Sequence, residues 1–427
     1  MEYKTIQDTI HGSVKFKGPF LELLECPELQ RLHNIIQLGL TKLVFPGANH
    51  TRLEHSIGTY GVANKMAVSL DLNEEEKNLV MAAALLHDLG HPPFSHTLES
   101  ILENATGMDH MDVTKEFIIG KRSIENRDTP LIPEILERHD ISPERVAELV
   151  KGKDETTTIS DFGIHGNQKY FGEDKYLYQM IHGSLDADQL DYLLRDSHYT
   201  GALHGVIDIE RLLQTMEIHN GDLIVTKGGV PAVEGMLVAR GLMYSSVYLH
   251  KTARIAELML AKAVASFDNG LEEVYLMTDC ELLSHMRDNG GFPAEMVELL
   301  KYRRLYKMCF SLELDKLSTS SVDIESLGTP DGIRKLEKKI AFQCKISEND
   351  VLVDIPHKEI KLSEPRLNKT GVKVLDEGRL YDLTKYSPLA FALQRRTAPY
   401  WGIMVSCPNN MIDKVRKASK KILFSHS

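Results

Sequence analysis

Membrane-spanning runs, a cysteine framework and a basic surface are all missing from this 427-residue sequence. No apolar stretch approaches the ~20 residues that cross a bilayer. The five cysteines, Cys26, Cys280, Cys309, Cys344 and Cys407, are odd in number and scattered, with no C-x-x-C. That argues against a disulfide scaffold or a zinc ribbon and for a reducing cytosol. The opening MEYKTIQDTIHGSVKF has neither an apolar core nor a cleavage pattern, so secretion is not expected and the localisation read is cytoplasmic. With 50 Lys and Arg against 61 Asp and Glu, the net charge is −11. Broad nucleic-acid binding is thereby disfavoured, while a local basic pocket for a polyphosphate is not. There is no internal repeat and no low-complexity tail.

What remains is the balance of a globular protein, 42% hydrophobic and 26% charged, with length for a large catalytic domain and a smaller module. Residues 1–20 read as short extended pieces. From Phe20 the pattern turns helical, with Leu21, Leu24, Leu29, Leu32, Ile36 and Leu40 at three- and four-residue intervals and Pro27 opening a new helix. RLEHSIGTYGVANKMAVSL predicts a helix with His55 near its first turn, and EEEKNLVMAAALLHD another, capped by Asn73 or Leu72. Gly90 and Pro92-Pro93 stop it, and Ser95 is the expected cap of SHTLESIL. Residues 112–160 read as helical and charged, loosening near KGKDETTTISDFG. YLYQMIHGSLDADQLDYLLRDSHYTG reads as one helix, Asn220-Gly221 as a hairpin turn, and Pro231 to Ala265 as one long helix. Helical segments are expected to about Leu317, and short strands alternate with helices after Ser318. The expected fold is mainly α: a helical bundle over 1–317, with its core motifs in 3–265, and a smaller C-terminal α/β module over 318–427.

Chemistry concentrates in AAALLHDLGHPPFSH, from Ala82 to His96. A helix apolar enough to be buried ends in His87 and Asp88, with His91 and His96 following, and such groups are costly inside unless something binds them. A divalent transition metal that hydrolyses nucleotides takes imidazole nitrogens and carboxylate oxygens and keeps positions open. Neighbours on a helix point about 100° apart, so His87 and Asp88 reach one ion only at the helix end. His55 and Asp188, on other helices, could converge on the same point across a bundle. Any one buried histidine is more often a bonded core residue. Asp186 could equally be a helix cap, and Asp191 a surface acid.

The order DTIHGSVKF, CPELQRLHNIIQLG, VFPGANHTRLEHSIG, LLHDLGHPPFSH, DADQLDYLLRDSHYTG and YLHKTARIAELML resembles the HD-domain metal-dependent phosphohydrolases, in their deoxynucleoside triphosphate triphosphohydrolase branch. The resemblance covers about residues 3–265 and implies an HD-domain helical bundle. It implies one divalent ion (Mn, Fe, Mg, Zn or Ni) on His55, His87, Asp88 and Asp188. It further implies hydrolysis of a deoxynucleoside triphosphate at the α-phosphorus, giving deoxynucleoside and inorganic triphosphate. His96 would be the proton donor, His91 and His110 would flank the α-phosphate, and Glu99 would orient His110. Arg52 and Arg240 would clamp the triphosphate, and Tyr248 would flank base or sugar. Gln37 and Asp196 would bond the 3′-hydroxyl, Tyr192 would exclude a 2′-hydroxyl, and Leu38 would line the same pocket.

Vertebrate members carry an activator site, matched here by Lys4, Glu25, Gln30 and His33. Three positions depart from the vertebrate pattern: in the activator site Glu25 stands for an aspartate and His33 for an arginine, and beside the ligand Asp188, Gln189 stands for a lysine that would bind phosphate. The resemblance also implies a homodimer or homotetramer with an activator nucleotide between subunits. Two other functions fit the HD motif, a phosphatase or phosphodiesterase acting on nucleotide monoesters or cyclic esters, and a nucleotide-responsive or single-stranded nucleic-acid-binding regulator with a residual site. A monoester enzyme needs no triphosphate clamp, and the net charge of −11 disfavours the regulator.

Overall fold

The computed structural model describes residues 3–124, 129–152, 174–267, 270–313, 327–355, 371–394 and 401–424. The fold is mainly α. An antiparallel hairpin of β1 (Tyr3–Asp8) and β2 (Gly12–Lys17) opens the chain. Phe16 stacks on Tyr60 with centroids 4.4 Å apart, which seats the hairpin on the Arg52–Ser69 helix. Pro27 opens a second short helix, Pro27–Arg31, its missing N–H costing nothing at a first turn.

The helical pattern extrapolated through Ile36 does not hold. Ile36 bridges Thr51, and Gln37 N–H donates to His50 O at 3.0 Å. These backbone groups are satisfied across the chain rather than along a helix.

Thr51 and Asn73 cap the two central helices, Arg52–Ser69 and Glu74–Leu86, each with a reciprocal glutamate three residues on. Every residue from Leu79 to Leu86 is buried, which accounts for an apolar run of small and aliphatic residues on all faces.

Two helices read as continuous are divided. Lys175–His182 and Ala187–Thr200 are separate because a Cβ on Gly183 would sit 2.1 Å from Gln179 O, and because Asp186 caps the second helix, accepting from Gln189 N at 2.8 Å. The long helix splits into Val230–Met243, a π-helical turn Tyr244–Tyr248, and Lys251–Val264 capped by His250. Between these helix groups, β3 (Met216–His219) and β4 (Asp222–Thr226) form the expected hairpin, with Asn220 and Gly221 both at positive φ.

The chain after Leu300 differs more. Lys307–Glu313 is a strand, β5, not helix. It joins β6 (Leu352–Asp354) and β9 (Trp401–Cys407) in the order β5-β9-β6, backed by the helices Pro330–Cys344 and Ile412–Phe424 around a second core that includes Phe310, Ile340, Val405 and Val415. This unit therefore begins before residue 318. Residues 371–394 instead return to the bundle. Strand β7 (Lys373–Asp376) pairs parallel with β4 and antiparallel with β8 (Arg379–Asp382), and Val374, Leu383 and Ala390 enter the main core. The polar stretch near KGKDETTTISDFG lies outside the described residues beyond Gly152.

Candidate active site

The Glu74–Leu86 helix delivers His87 as its C-terminal cap, still in helical conformation. Its Nδ1 lies 2.8 Å from Ala84 O, the position of an N–H donor, so Nε2 is left as the free lone pair. That Nε2 is buried and has no hydrogen-bond partner. Asp88 brings one carboxylate oxygen to 3.3 Å from it and the other to 3.6 Å from His55 Nε2. Asp188, in the first turn of its helix, places Oδ1 3.0 Å from His55 Nε2 and 3.9 Å from His87 Nε2. The two imidazole planes cross at 74°, so both lone pairs can meet at one point. His55, His87 and Asp188 bring ligand atoms close enough to share one ion, Asp88 lies beside them 3.3 Å from His87, and this donor set fits a divalent cation. Asp188, with 29% of its side chain exposed, marks the open side.

Behind His55 stands a residue the sequence left as a surface acid. Asp191 is fully buried and takes His55 Nδ1 at 2.7 Å, His11 Nε2 at 2.7 Å, and Arg195 through Nε and Nη2 at 2.9 Å each. Arg195 also bonds Asp8 at 2.9 Å. Burial disfavours a charged His55, yet its bonds to Asp188 and Asp191 outweigh this and push its pKa up to about 10. The carboxylates thus demand positive charge at His55 Nε2.

Beside this centre lies a second carboxylate with three imidazoles. Glu99 Oε1 is 3.0 Å from His91 Nδ1 and 2.9 Å from His110 Nδ1, and its Oε2 is 3.0 Å from His96 Nδ1. This set could also hold a metal, and His91 Nδ1 and Glu99 Oε1 are buried without a hydrogen bond. His91 and His110 stack with centroids 4.0 Å apart and planes within 16°. Both Nδ1 atoms gather on the same Glu99 oxygen. Burial, Arg52 and His110 lower the His91 pKa to about 3. For His110 burial opposes the charge, and Glu99 overcomes it and raises the pKa. His91 Nε2 lies 3.2 Å from Asp88, linking the two clusters. His96 is the solvent-facing member, 70% exposed. Gly90 permits the close approach, since a Cβ there would be 2.1 Å from His110 O.

Ser95 is not a helix cap. The following helix, Glu99–Thr106, starts four residues later without a side-chain cap. Ser95 and Phe94 both adopt left-handed backbone, at φ 56 and 57. This costly pair is held by Phe94 N–H donating to Asp279 at 2.7 Å and by Ser95 Oγ donating to Ile36 O at 2.9 Å. Ser95 Oγ also accepts from Arg52 Nε at 2.8 Å. Arg52 itself is buried and donates to Asp88 at 2.5 Å, with Nη2 3.4 Å from His96 Nε2.

Arg240, also buried, donates to Gln189 Oε1 at 2.7 Å, and Gln189 Nε2 donates to Asp186 at 2.8 Å. The glutamine that replaces a lysine thus anchors a neighbouring guanidinium. Tyr248 hydroxyl donates to Asp196 at 2.7 Å, while His50 Nε2 approaches the other Asp196 oxygen at 2.8 Å. Tyr192 meets Tyr248 edge-on with centroids 6.1 Å apart. Gln37 is buried with Oε1 unpartnered, and Leu38 packs half-buried against the core. His50 joins this group without having been singled out in the sequence.

The remaining set lies elsewhere. Lys4 and Glu25 pair at 2.6 Å on the surface, and Gln30 and His33 are exposed nearby in sequence, Gln30 donating to Leu24 O at 2.6 Å.

A model of the HD domain matches residues 52–196, and one of the HD-associated region matches residues 207–424. An uncharacterized protein of Methanocaldococcus jannaschii is 30% identical over 430 residues, spanning 98% of this chain and 82% of its own. The deoxynucleoside triphosphate triphosphohydrolase SAMHD1 homolog of Dictyostelium discoideum is 29% identical, spanning 99% and 81%. The crystal structure of a hypothetical protein from Aquifex aeolicus superposes with a TM-score of 0.71 at 26% identity, over 98% of this chain and 100% of that one.

Proposed function

This chain belongs to the HD-domain phosphohydrolase family, its HD domain followed by an HD-associated region, and on that premise we propose that it hydrolyses deoxynucleoside triphosphates to deoxynucleoside and inorganic triphosphate. The observation that carries the reading is the contact of three groups through Asp88: the His55, His87 and Asp188 cluster, the imidazoles around Glu99, and the buried Arg52.

His55, His87, Asp88 and Asp188 would hold one divalent ion, and this donor set accepts Mn, Fe, Mg, Zn or Ni. When bound, such an ion supplies a water acidic enough to ionise near neutral pH and offsets phosphate charge. The chain's own residues do the rest. His91, whose charged form burial disfavours, and His110, whose charged form Glu99 favours, flank the α-phosphate. His96 protonates the departing 5′ oxygen, its Nδ1 fixed on Glu99. Arg52 and Arg240 bind the triphosphate, each pre-placed by a bond to a neighbour. The unpartnered Gln37 Oε1 and the Asp196 carboxylate receive the 3′-hydroxyl. Tyr192 and Leu38 close the space at C2′, and Tyr248 faces the nucleoside.

The Lys4, Glu25, Gln30 and His33 surface would take an activator nucleotide between subunits of a homodimer or homotetramer. Five free cysteines, four of them buried, support a reducing, cytoplasmic setting. No described helix is long and apolar enough to cross a membrane.

The test is a product panel over four deoxynucleoside and four ribonucleoside triphosphates with Mn or Mg. Intact triphosphate from the deoxynucleotides alone is expected. Single phosphate released from a monophosphate, or binding without turnover, would overturn the proposal.

A further inference from the structure

The N-terminal hairpin ends inside the bundle, and what it carries there is polar. Asp8 accepts from Ile10 N–H at 2.9 Å and His11 N–H at 2.7 Å, folding the turn so that the His11 ring points inward. The His11 side chain is 3% exposed and Asp191 is not exposed at all. Asp191 then has one donor from an imidazole and one from Arg195 on each oxygen: His11 and Arg195 on Oδ1, His55 and Arg195 on Oδ2. Arg195 is in turn pinned by Asp8. The Arg52–Ser69 helix passes so close that a Cβ on Gly58 would lie 1.9 Å from Asp191 Oδ1. The carboxylate has no freedom to rotate while all four donors are in place. Its pose decides whether His55 presents an N–H at Nδ1 and therefore a lone pair at Nε2.

We infer that the N-terminal hairpin is a working part of the metal centre, with His11 a positioning residue that acts through Asp191 on His55. The inference rests on the reading of His55, His87, Asp88 and Asp188 as cation ligands. It extends that centre to residues 3–17, which lie outside the 52–196 span of the HD domain. Removing His11 leaves Asp191 Oδ1 with Arg195 as its one remaining donor, so the guanidinium alone then holds the carboxylate against His55.

The experiment uses the full chain and Mn²⁺ alone, titrated by calorimetry, with metal-free thermal melts alongside. His11→Gln keeps an N–H donor at the reach of Nε2. His11→Met keeps the volume without the donor. We expect His11→Met to bind Mn²⁺ about 10-fold more weakly, the lower end of the loss seen when the outer partner of a ligating histidine is itself removed. His11→Gln should stay within about threefold of the parent. Equal Mn²⁺ affinity in the two variants, whether both intact or both weakened, would overturn the inference, because packing alone would then explain the residue. If the parent protein itself bound no Mn²⁺, the ligand reading would fall first, a result visible before any variant is made.

Discussion

Two half-buried carboxylates in this protein are each surrounded by imidazoles, and the proposed function gives them different work. At Asp188, His55 and His87 meet at 74° and point past the acid toward a common place. At Glu99, His91 and His110 lie nearly parallel at 16° with both Nδ1 atoms on one acid oxygen, and His91 also reaches Asp88 through Nε2. Composition is the same; ring orientation is not. Under the proposed function the crossed pair holds the cation, and the stacked rings beside one carboxylate hold charge and move protons. The division also explains why two adjacent histidine clusters need not compete for one ion.

Substitution can break that division in order of size. Asp188→Ala should remove the ion and lower turnover by more than ~10³-fold, since a metal contributes several kcal/mol to a phosphoryl transition state. Metal analysis and triphosphate release check it together. Glu99→Gln should lower kcat by about 10²-fold, the scale of general acid catalysis, while leaving Mn²⁺ affinity within about threefold. A matching loss of metal affinity would mean that the clusters are one site.

Acid titration gives a subtler version. Burial alone would raise the Glu99 pKa, but His96 and His110 hold it well below 4.5. A depressed carboxyl pKa contributes stability above the unfolded value, and that contribution is lost as pH falls below it. Metal-free wild type should therefore lose more thermal stability than Glu99→Gln on going from pH 5 to pH 3, as melts across that range would read.

The sequence carried the first cluster and most of the second because their residues cluster around helix ends, where breaks are written in glycine and proline. The HD pair sits before Gly90 and Pro92, and Asp188 follows the cap Asp186. Asp191 was illegible for the opposite reason. It sits mid-helix with Arg195 one turn on, a pattern that on most helices faces water. The Arg52–Ser69 helix and a hairpin 180 residues away together bury it. The two helices read as unbroken fail at Gly183 and at a π-helical turn, where tertiary contacts decide what local propensity does not. Strand β5 was hidden because its partner β9 lies nearly a hundred residues downstream.

The second core offers the smallest effect on the site and the sharpest control. It meets the bundle through the Lys251–Val264 helix. Lys262 donates to Glu337 at 2.8 Å and to Val351 O at 2.6 Å, and Arg254 reaches Asp354 at 3.2 Å. Here the ions are joined pairwise, with no convergent lone pairs and no orphaned nitrogen. Burial raises the Glu337 pKa against the pull of Lys262, so this acid depends on its one cation. Lys262→Met should cost about 3 kcal/mol of stability, as stranding a largely buried partner does, read by denaturant unfolding. Mn²⁺ affinity should not change, because nothing in that contact orients a ligand. Loss of metal binding in Lys262→Met would show that a pair built for cohesion also tunes the centre, and the contrast between the two kinds of buried charge would collapse.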